Sequence, residues 1–403
     1  MRLRYRYLFI QALFFQSILS SAIIELPDLV RESNKVISVS FACNDLEFEK
    51  IGKKAFEMHG AYRLVPQKES DFNIQMAVLK DDSVGLRIIN GTRVIYESKA
   101  NLIDTYTSFL HLLDEVIEIT GSNEGLLGFY SGQFAFVGNR GDASELYLSD
   151  IFFRKIQQLT SDEALLTGPK WSPSGHSLLF TSYYKSGFPD LFEMNLHSRK
   201  RSTIAAFKGT NTGGVYSPEG DKVAMTLSND GNSDLYILNL NTRNLKRVAK
   251  TKALESSPSW SPDGKQLVVV SDSLGSPQLY LINASGGPMK RIKTNISRYC
   301  TEPEWNPINE ALIVYTASIG GRFQIVMHSL KTGKSTQLTS VEGGALQASW
   351  MPDGRHIVYT ERLKGSTRLV LFDTVSQKSS PLHKMSFGEA SGAAYTRSKN
   401  FNR

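Results

Sequence analysis

An aromatic anchor recurs five times along the chain, as Trp171-Ser-Pro-Ser-Gly175, Tyr216-Ser-Pro-Glu-Gly220, Trp260-Ser-Pro-Asp-Gly264, Trp305-Asn-Pro-Ile-Asn309 and Trp350-Met-Pro-Asp-Gly354. The aromatic positions lie 45, 44, 45 and 45 residues apart. A period in the forties, with turn residues between short β-branched runs, is the signature of propeller blades, each a four-stranded antiparallel sheet. Within a unit the aromatic strand ends in Pro-x-Gly, which turns the chain into a second strand such as Gln266 to Ser271. A polar turn at Ser273 to Pro277, a third strand at Gln278 to Asn283, a turn at Ala284 to Gly287 and a fourth strand at Met289 to Thr294 complete it.

One period before Trp171 lies Leu126 to Tyr130, with Phe134 to Val137 matching Leu178 to Thr181. One period after Trp350 lies Tyr395. Six blades result. The last segment has no following strands of its own, so it is expected to supply the inner strand of the first blade and close the ring, which removes free sheet edges. The repeated Trp reads as mortar between blades. Burying a ring of ~150–250 Å² is worth roughly 4–6 kcal/mol at ~25 cal/mol/Å².

The first residues have a different character. Arg2, Arg4 and Arg6 precede the apolar run Leu8 to Ala22, a basic segment followed by a hydrophobic one. As a helix this run spans roughly 22 Å, short of the ~30 Å hydrocarbon core of a bilayer. Ser20 and Ala22 supply the small side chains a signal peptidase reads. Residues 1–22 are therefore expected to be a cleavable export signal, leaving a mature chain from Ile23 with no direct membrane insertion. No Cys lies near the cut to accept a lipid. Removing three arginines lowers the formal net charge of +7 by three. No dense Lys/Arg block appears anywhere, which argues against nucleic acid as a partner. Cys43 and Cys300 fall one in each expected domain; two isolated thiols give no disulfide framework and read as small buried apolar residues.

Residues 23–122 lack the anchor and read as an α/β domain, with 123–403 forming the all-β six-bladed propeller. Strands are expected at Lys35 to Ala42, Tyr62 to Pro66, Asn73 to Leu79, Val84 to Ile89 and Arg93 to Ser98, with helices over Leu46 to Gly60 and from Asp104. In the second helix Tyr106, Phe109, Leu110, Leu113, Val116 and Ile117 share one face, which reads as core.

Catalytic chemistry finds no foothold. There is no Gly-x-Ser-x-Gly elbow, and no hydrolase domain follows the blades. The seven histidines show no close metal-ligand spacing, and those in blade turns are expected to be solvated. Gly-rich pieces such as Gly286-Gly287 stand in hairpin turns, where Gly supplies positive φ. Asp263 and Asp353 sit in Pro-Asp-Gly turns and read as turn formers. No catalytic residue, metal or cofactor is expected; the alternative class is a propeller-containing hydrolase or protease-related protein.

The export signal, the α/β domain, Asp114-Glu115-Val-Ile-Glu-Ile-Thr-Gly121 entering the ring and the repeated Trp-Ser-Pro-Asp-Gly blades together resemble the TolB family of the Tol-Pal system. The resemblance implies a periplasmic, non-enzymatic adaptor for outer-membrane integrity. It would bind the lipoprotein Pal through the propeller, and TolA with the inner-membrane complex through the N-terminal region. The chain departs from the family pattern in Asn306-Pro-Ile-Asn309 and in Gly-Gly before Tyr216.

Two partner sites follow as expectations. Ile23, Ile24, Glu25 and Leu26 open a segment interrupted by Pro27, which on the resemblance reaches TolA. Successive turns of an antiparallel blade point to opposite faces, so the segments leading into the inner strands share the face opposite the Pro-Asp-Gly turns. They differ from blade to blade, as a surface reading one partner should. The Pal-like contact is accordingly expected at Thr210, Asn211, Ser256, Ser257, Arg298, Thr301 and Glu302, with the hydroxyls and Asn as hydrogen-bonding groups and Arg298 and Glu302 as charged ones.

Overall fold

The computed structural model describes residues 36–140 and 143–397. The expected export signal and the residues Ile23, Ile24, Glu25 and Leu26 lie outside the described residues.

The N-terminal domain is one five-stranded sheet with two helices. Its elements run β1 (Ile37–Cys43), α1 (Leu46–Met58), β2 (Tyr62–Leu64), β3 (Phe72–Val78), β4 (Val84–Asn90), β5 (Arg93–Ala100) and α2 (Thr105–Thr120). Strand order is β2-β1-β3-β4-β5. β1 is parallel to both neighbours, so each connection must cross over, and α1 makes the first crossing; β3, β4 and β5 form the antiparallel meander. Both helices start on an aspartate. The Asp45 carboxylate accepts from the backbone N–H groups of Glu47 at 2.9 Å and Phe48 at 3.1 Å, and that of Asp104 accepts from Thr107 at 2.7 Å. Each satisfies donors that the first helical turn leaves unpaired.

Six four-stranded sheets follow in a ring. Their inner strands are Glu389–Thr396 for blade one, then Leu166–Trp171, Asn211–Tyr216, Glu255–Trp260, Cys300–Trp305 and Ala345–Trp350 for blades two to six. The first blade is built from both ends of the propeller sequence, because Glu389–Thr396 pairs antiparallel with Gln133–Arg140. Closure thus depends on a ladder between residues some 250 positions apart, and any fraying of the C-terminal strand opens the ring.

The anchor side chains bind blade to blade. The indole N–H of Trp171 donates to the Ala394 carbonyl at 3.0 Å, that of Trp260 to Val215 at 3.2 Å and that of Trp350 to Glu304 at 3.2 Å, each reaching the inner strand of the preceding blade. Trp305 differs. Its indole donates to Glu310 of its own blade, and its backbone N–H is held by Ser259 of blade four. This is the blade in which Asn306-Pro-Ile-Asn309 replaces the usual turn. The Asn306 side chain takes over, accepting from the Ile308 and Asn309 N–H groups and donating to the Gly354 carbonyl of the next blade at 2.7 Å.

Blades one and six share a continuous apolar core with the N-terminal domain, running from Ile37 through Phe109 and Phe129 to Leu371 and Tyr395. Of the α2 face expected from its spacing, Phe109, Leu110, Leu113, Val116 and Ile117 are buried and Tyr106 is half-buried, and Leu112, Ser108 and Asp114 are buried as well, since α2 lies between its own sheet and the propeller. Tyr130 Oη donates to the Ala55 carbonyl at 2.6 Å, Tyr106 Oη to Asp150 at 2.9 Å, and Lys155 pairs with Asp104 at 2.5 Å. Arg154–Glu47 and Arg397–Glu118 add ion pairs at the rim of the junction. Cys43 and Cys300 are both free thiols.

Candidate functional site

The inner strands line a central channel enclosing about 1160 Å³. Each carries a break in its ladder at the same depth. There the residues Gly168, Gly213, Ser257, Glu302, Gln347 and Gly392 all adopt positive φ, between 50° and 67°. Three of the six are not Gly and accept the strain of that conformation, held by the ladder on either side. The bulges turn a ring of side chains and backbone toward the axis. Gln347 is tied in by its N–H to Glu302 Oε2 at 2.9 Å, and its side-chain oxygen accepts from Thr360 Oγ1 at 3.1 Å.

Below the bulges the bore is crossed by charge. Lys170 of blade two and Glu304 of blade five, on opposite sides of the ring, form an ion pair. The equivalent positions in the other blades are the smaller Val215, Ser259, Ser349 and Ala394, so the long side chains have room to meet.

The channel has two unlike mouths. The lower mouth is framed by the turns that follow the inner strands, including the Pro-x-Gly turns of Pro173, Pro218 and Pro262 and the Pro307-Ile-Asn309 turn of blade five, and the N-terminal domain reaches its edge through His111 and Glu118. Glu115 accepts a hydrogen bond from His111 and holds its imidazole above the usual range against partial burial. The upper mouth is framed by the loops that lead into the inner strands and by the loops between second and third strands. The two loop sets are stitched together, as where Tyr183 N–H donates to Leu165 O, Cys300 N–H to Pro277 O and Ser276 Oγ to Arg298 O.

Across blades two to five this upper face bears Leu165, Tyr184, Phe188, Phe207, Leu254, Leu274 and Tyr299, all exposed; Phe188 is 65% accessible and Leu274 60%.

Ser256, Ser257 and Glu302 line the channel, and Arg298 stands exposed on the upper rim. Thr301 precedes the bulge and is half-buried. Thr210 sits at the end of its loop, its N–H held by Ser228 Oγ at 2.7 Å. Asn211 is fully buried, and its side-chain amide binds the loop itself, accepting from Phe207 N–H and donating to Phe207 O, both at 2.8 Å. Glu302 is also committed internally, accepting from Thr316 Oγ1 at 2.8 Å and from Gln347 N–H. Both residues shape the mouth from within. The apolar belt was missed by reading polar groups as the recognition elements. Its signal is present as bulky residues inside turn-rich segments, such as Phe188 between Gly187 and Pro189.

Among the turn histidines, His176 and His197 are exposed as expected, whereas His356 is fully buried because the N-terminal domain docks onto its turn. Asp263 and Asp353 act as turn formers, each accepting the N–H two residues on at 3.1 and 3.0 Å.

A family model described as the TolB beta propeller domain matches residues 124–398. The Tol-Pal system protein TolB of Alcanivorax borkumensis is 30% identical over 110 residues, which are 27% of this chain and 25% of that protein. The protein of the same name from Desulfotalea psychrophila is 28% identical over 186 residues, 46% of this chain and 39% of that protein. These alignments span between a quarter and two fifths of the relatives' lengths. The crystal structure of TolB from Acinetobacter baumannii superposes with a TM-score of 0.78 at 19% identity, covering 90% of this chain and 97% of that one, a likeness of fold that includes the N-terminal domain. Among the described residues no helix is long and apolar enough to cross a membrane.

Proposed function

This chain belongs to the TolB β-propeller family, and we propose that it is a periplasmic adaptor of the Tol-Pal cell-envelope system that converts no substrate. On this reading Pal docks on the upper face of the propeller, and TolA with the inner-membrane complex is reached through the N-terminal region, including Ile23, Ile24, Glu25 and Leu26. The observation that carries the Pal site is the asymmetry of the mouths. The N-terminal domain reaches the edge of the lower one, while the upper one presents exposed Phe188, Phe207, Leu254 and Tyr299 beside the charged Arg298. Aromatic side chains with an Arg among them are the composition of interface hot spots. Glu302 and Asn211 serve the site by holding its loops, and Ser256 and Ser257 offer hydroxyls inside the mouth.

The reading is tested by pull-down with the mature chain as bait against purified soluble Pal and, separately, purified TolA. Retention of both proteins by the mature chain, with TolA lost and Pal kept when Ile23 to Leu26 are deleted, is the expected pattern. Failure to retain either protein removes the adaptor reading.

A further inference from the structure

His59 caps the C-terminal end of α1 and is fully buried, yet neither of its ring nitrogens has a hydrogen-bond partner. The ring cannot swing to water. It stacks on Phe129 with centroids 5.0 Å apart and meets Tyr62 and His356 edge-on at 5.1 and 4.7 Å. His356 belongs to the Pro-Asp-Gly turn of blade six, is itself fully buried, and has an unpartnered Nε2. Its Nδ1 lies 2.6 Å from Asp353 Oδ2. One donor atom from each of His59, Asp353 and His356 lies within 4.8 Å of the others.

We propose that these three residues form a zinc-class metal site joining the N-terminal domain to the propeller. Two imidazoles and a carboxylate are a donor set suited to Zn²⁺. Bonds of ~2.0–2.1 Å in a tetrahedral arrangement set donors about 3.3 Å from one another, so on binding His59 moves in by up to roughly 1.5 Å while Asp353 Oδ2 and His356 Nδ1, now 2.6 Å apart, open by about 0.7 Å. The surroundings are arranged for it. Asp353 Oδ1 is fixed by the N–H groups of Arg355 and His356, both at 3.0 Å, which leaves Oδ2 to face the site. With Nδ1 of His356 on the metal, its Nε2–H faces the Asp373 carboxylate, now 3.8 Å away, the outer partner that ligating histidines usually have. Asp373 is itself held by Arg355 through bonds of 3.0 and 2.8 Å. The Arg355 guanidinium is taken by Asp373, and Arg355 reaches Asp353 only through its backbone N–H, so the buried Asp353 carboxylate has the imidazole of His356 as its side-chain partner and can accept a further cation. A proton on His356 would serve the Asp353 carboxylate but would leave both nitrogens of His59 bare; a metal serves the carboxylate and takes up one nitrogen of His59 as well.

The site is independent of the adaptor reading, since it needs no partner protein. The test uses the mature full chain, stripped with chelator and then titrated with ZnCl₂ by calorimetry and thermal unfolding. One equivalent of zinc per chain and a rise in Tm of several degrees are expected. The His59→Phe variant keeps the ring packing on Phe129 and Tyr62, and should bind zinc at least tenfold more weakly and lose the rise. Should that variant fail to fold, Co²⁺ added to the wild-type chain decides: strong tetrahedral visible bands support the site. Absence of those bands, a Tm indifferent to zinc, or undiminished zinc binding by a folded His59→Phe variant overturns it.

Discussion

Lys170 and Glu304 meet across the axis of the propeller, joining the inner strands of blades two and five into an ion pair that narrows the channel below its bulges. The two ends are not equivalent. Glu304 also accepts from Ser349 Oγ at 2.8 Å and from the Trp350 N–H at 2.9 Å, so it organises blade six as well, whereas Lys170 has only the carboxylate. Glu304→Ala should therefore destabilise by ~1–3 kcal/mol by stranding the Trp350 N–H, and Lys170→Met by no more than about 1 kcal/mol, the worth of a partly exposed pair. Urea unfolding followed by Trp fluorescence checks the order; equal effects would place the energy in the ion pair alone.

The indole anchors make separate claims. Trp260→Ala removes a buried ring between blades three and four and should cost ~3–5 kcal/mol. Trp350→Phe keeps most of the apolar area and loses chiefly the bond to the Glu304 carbonyl, so a cost of about 1–2 kcal/mol is expected. Thermal unfolding of both variants distinguishes apolar mortar from a hydrogen-bonded clasp.

Asn211→Ala should lower stability by ~1–3 kcal/mol, because the Phe207 N–H and carbonyl lose their shared partner. Arg298→Ala, on an exposed rim, should change stability by no more than ~0.5 kcal/mol. If Asn211→Ala proved neutral in unfolding experiments, its amide would not be the clamp of that loop.

The folded chain raises the His111 pKa above its usual value through the Glu115 carboxylate 3.4 Å away. A group raised on folding stabilises fully below its unfolded pKa, near 6.5, and that contribution is lost as pH rises through the folded pKa. Both side chains are partly exposed, so the effect should stay below about 1 kcal/mol. Glu115→Gln should flatten the His111 contribution to stability above pH ~6.5 and return its NMR titration toward the ordinary range; an unchanged midpoint would assign the shift to another group.

The architecture was legible because each blade repeats its own punctuation. Trp-Ser-Pro-Asp-Gly places an aromatic inner strand, a turn and a second strand in fixed order, and the N-terminal strands and helices carry alternation, spacing and Asp caps that local physics reads directly. What escaped depends on docking between distant parts. The turn of His356 resembles an exposed one until α1 is laid against it. Asn211 reads as a polar loop residue until Phe207 folds back over it. The inner-strand bulges fall on Gly168, Gly213 and Gly392 but equally on Ser257, Glu302 and Gln347, whose side chains carry no left-handed preference, so only the ladder register reveals them.

Calorimetric titration of soluble Pal against the wild-type chain, the upper-face variant Phe207→Ala/Tyr299→Ala and the lower-face variant Ile308→Ala tests the adaptor account most directly. All three substituted side chains are exposed, so folding should survive in each. The upper-face variant is expected to bind Pal at least about tenfold more weakly, a loss of ~1.4 kcal/mol, with Ile308→Ala unchanged. Wild-type affinity in the upper-face variant, or loss confined to Ile308→Ala, would contradict the placement of the partner on the upper mouth.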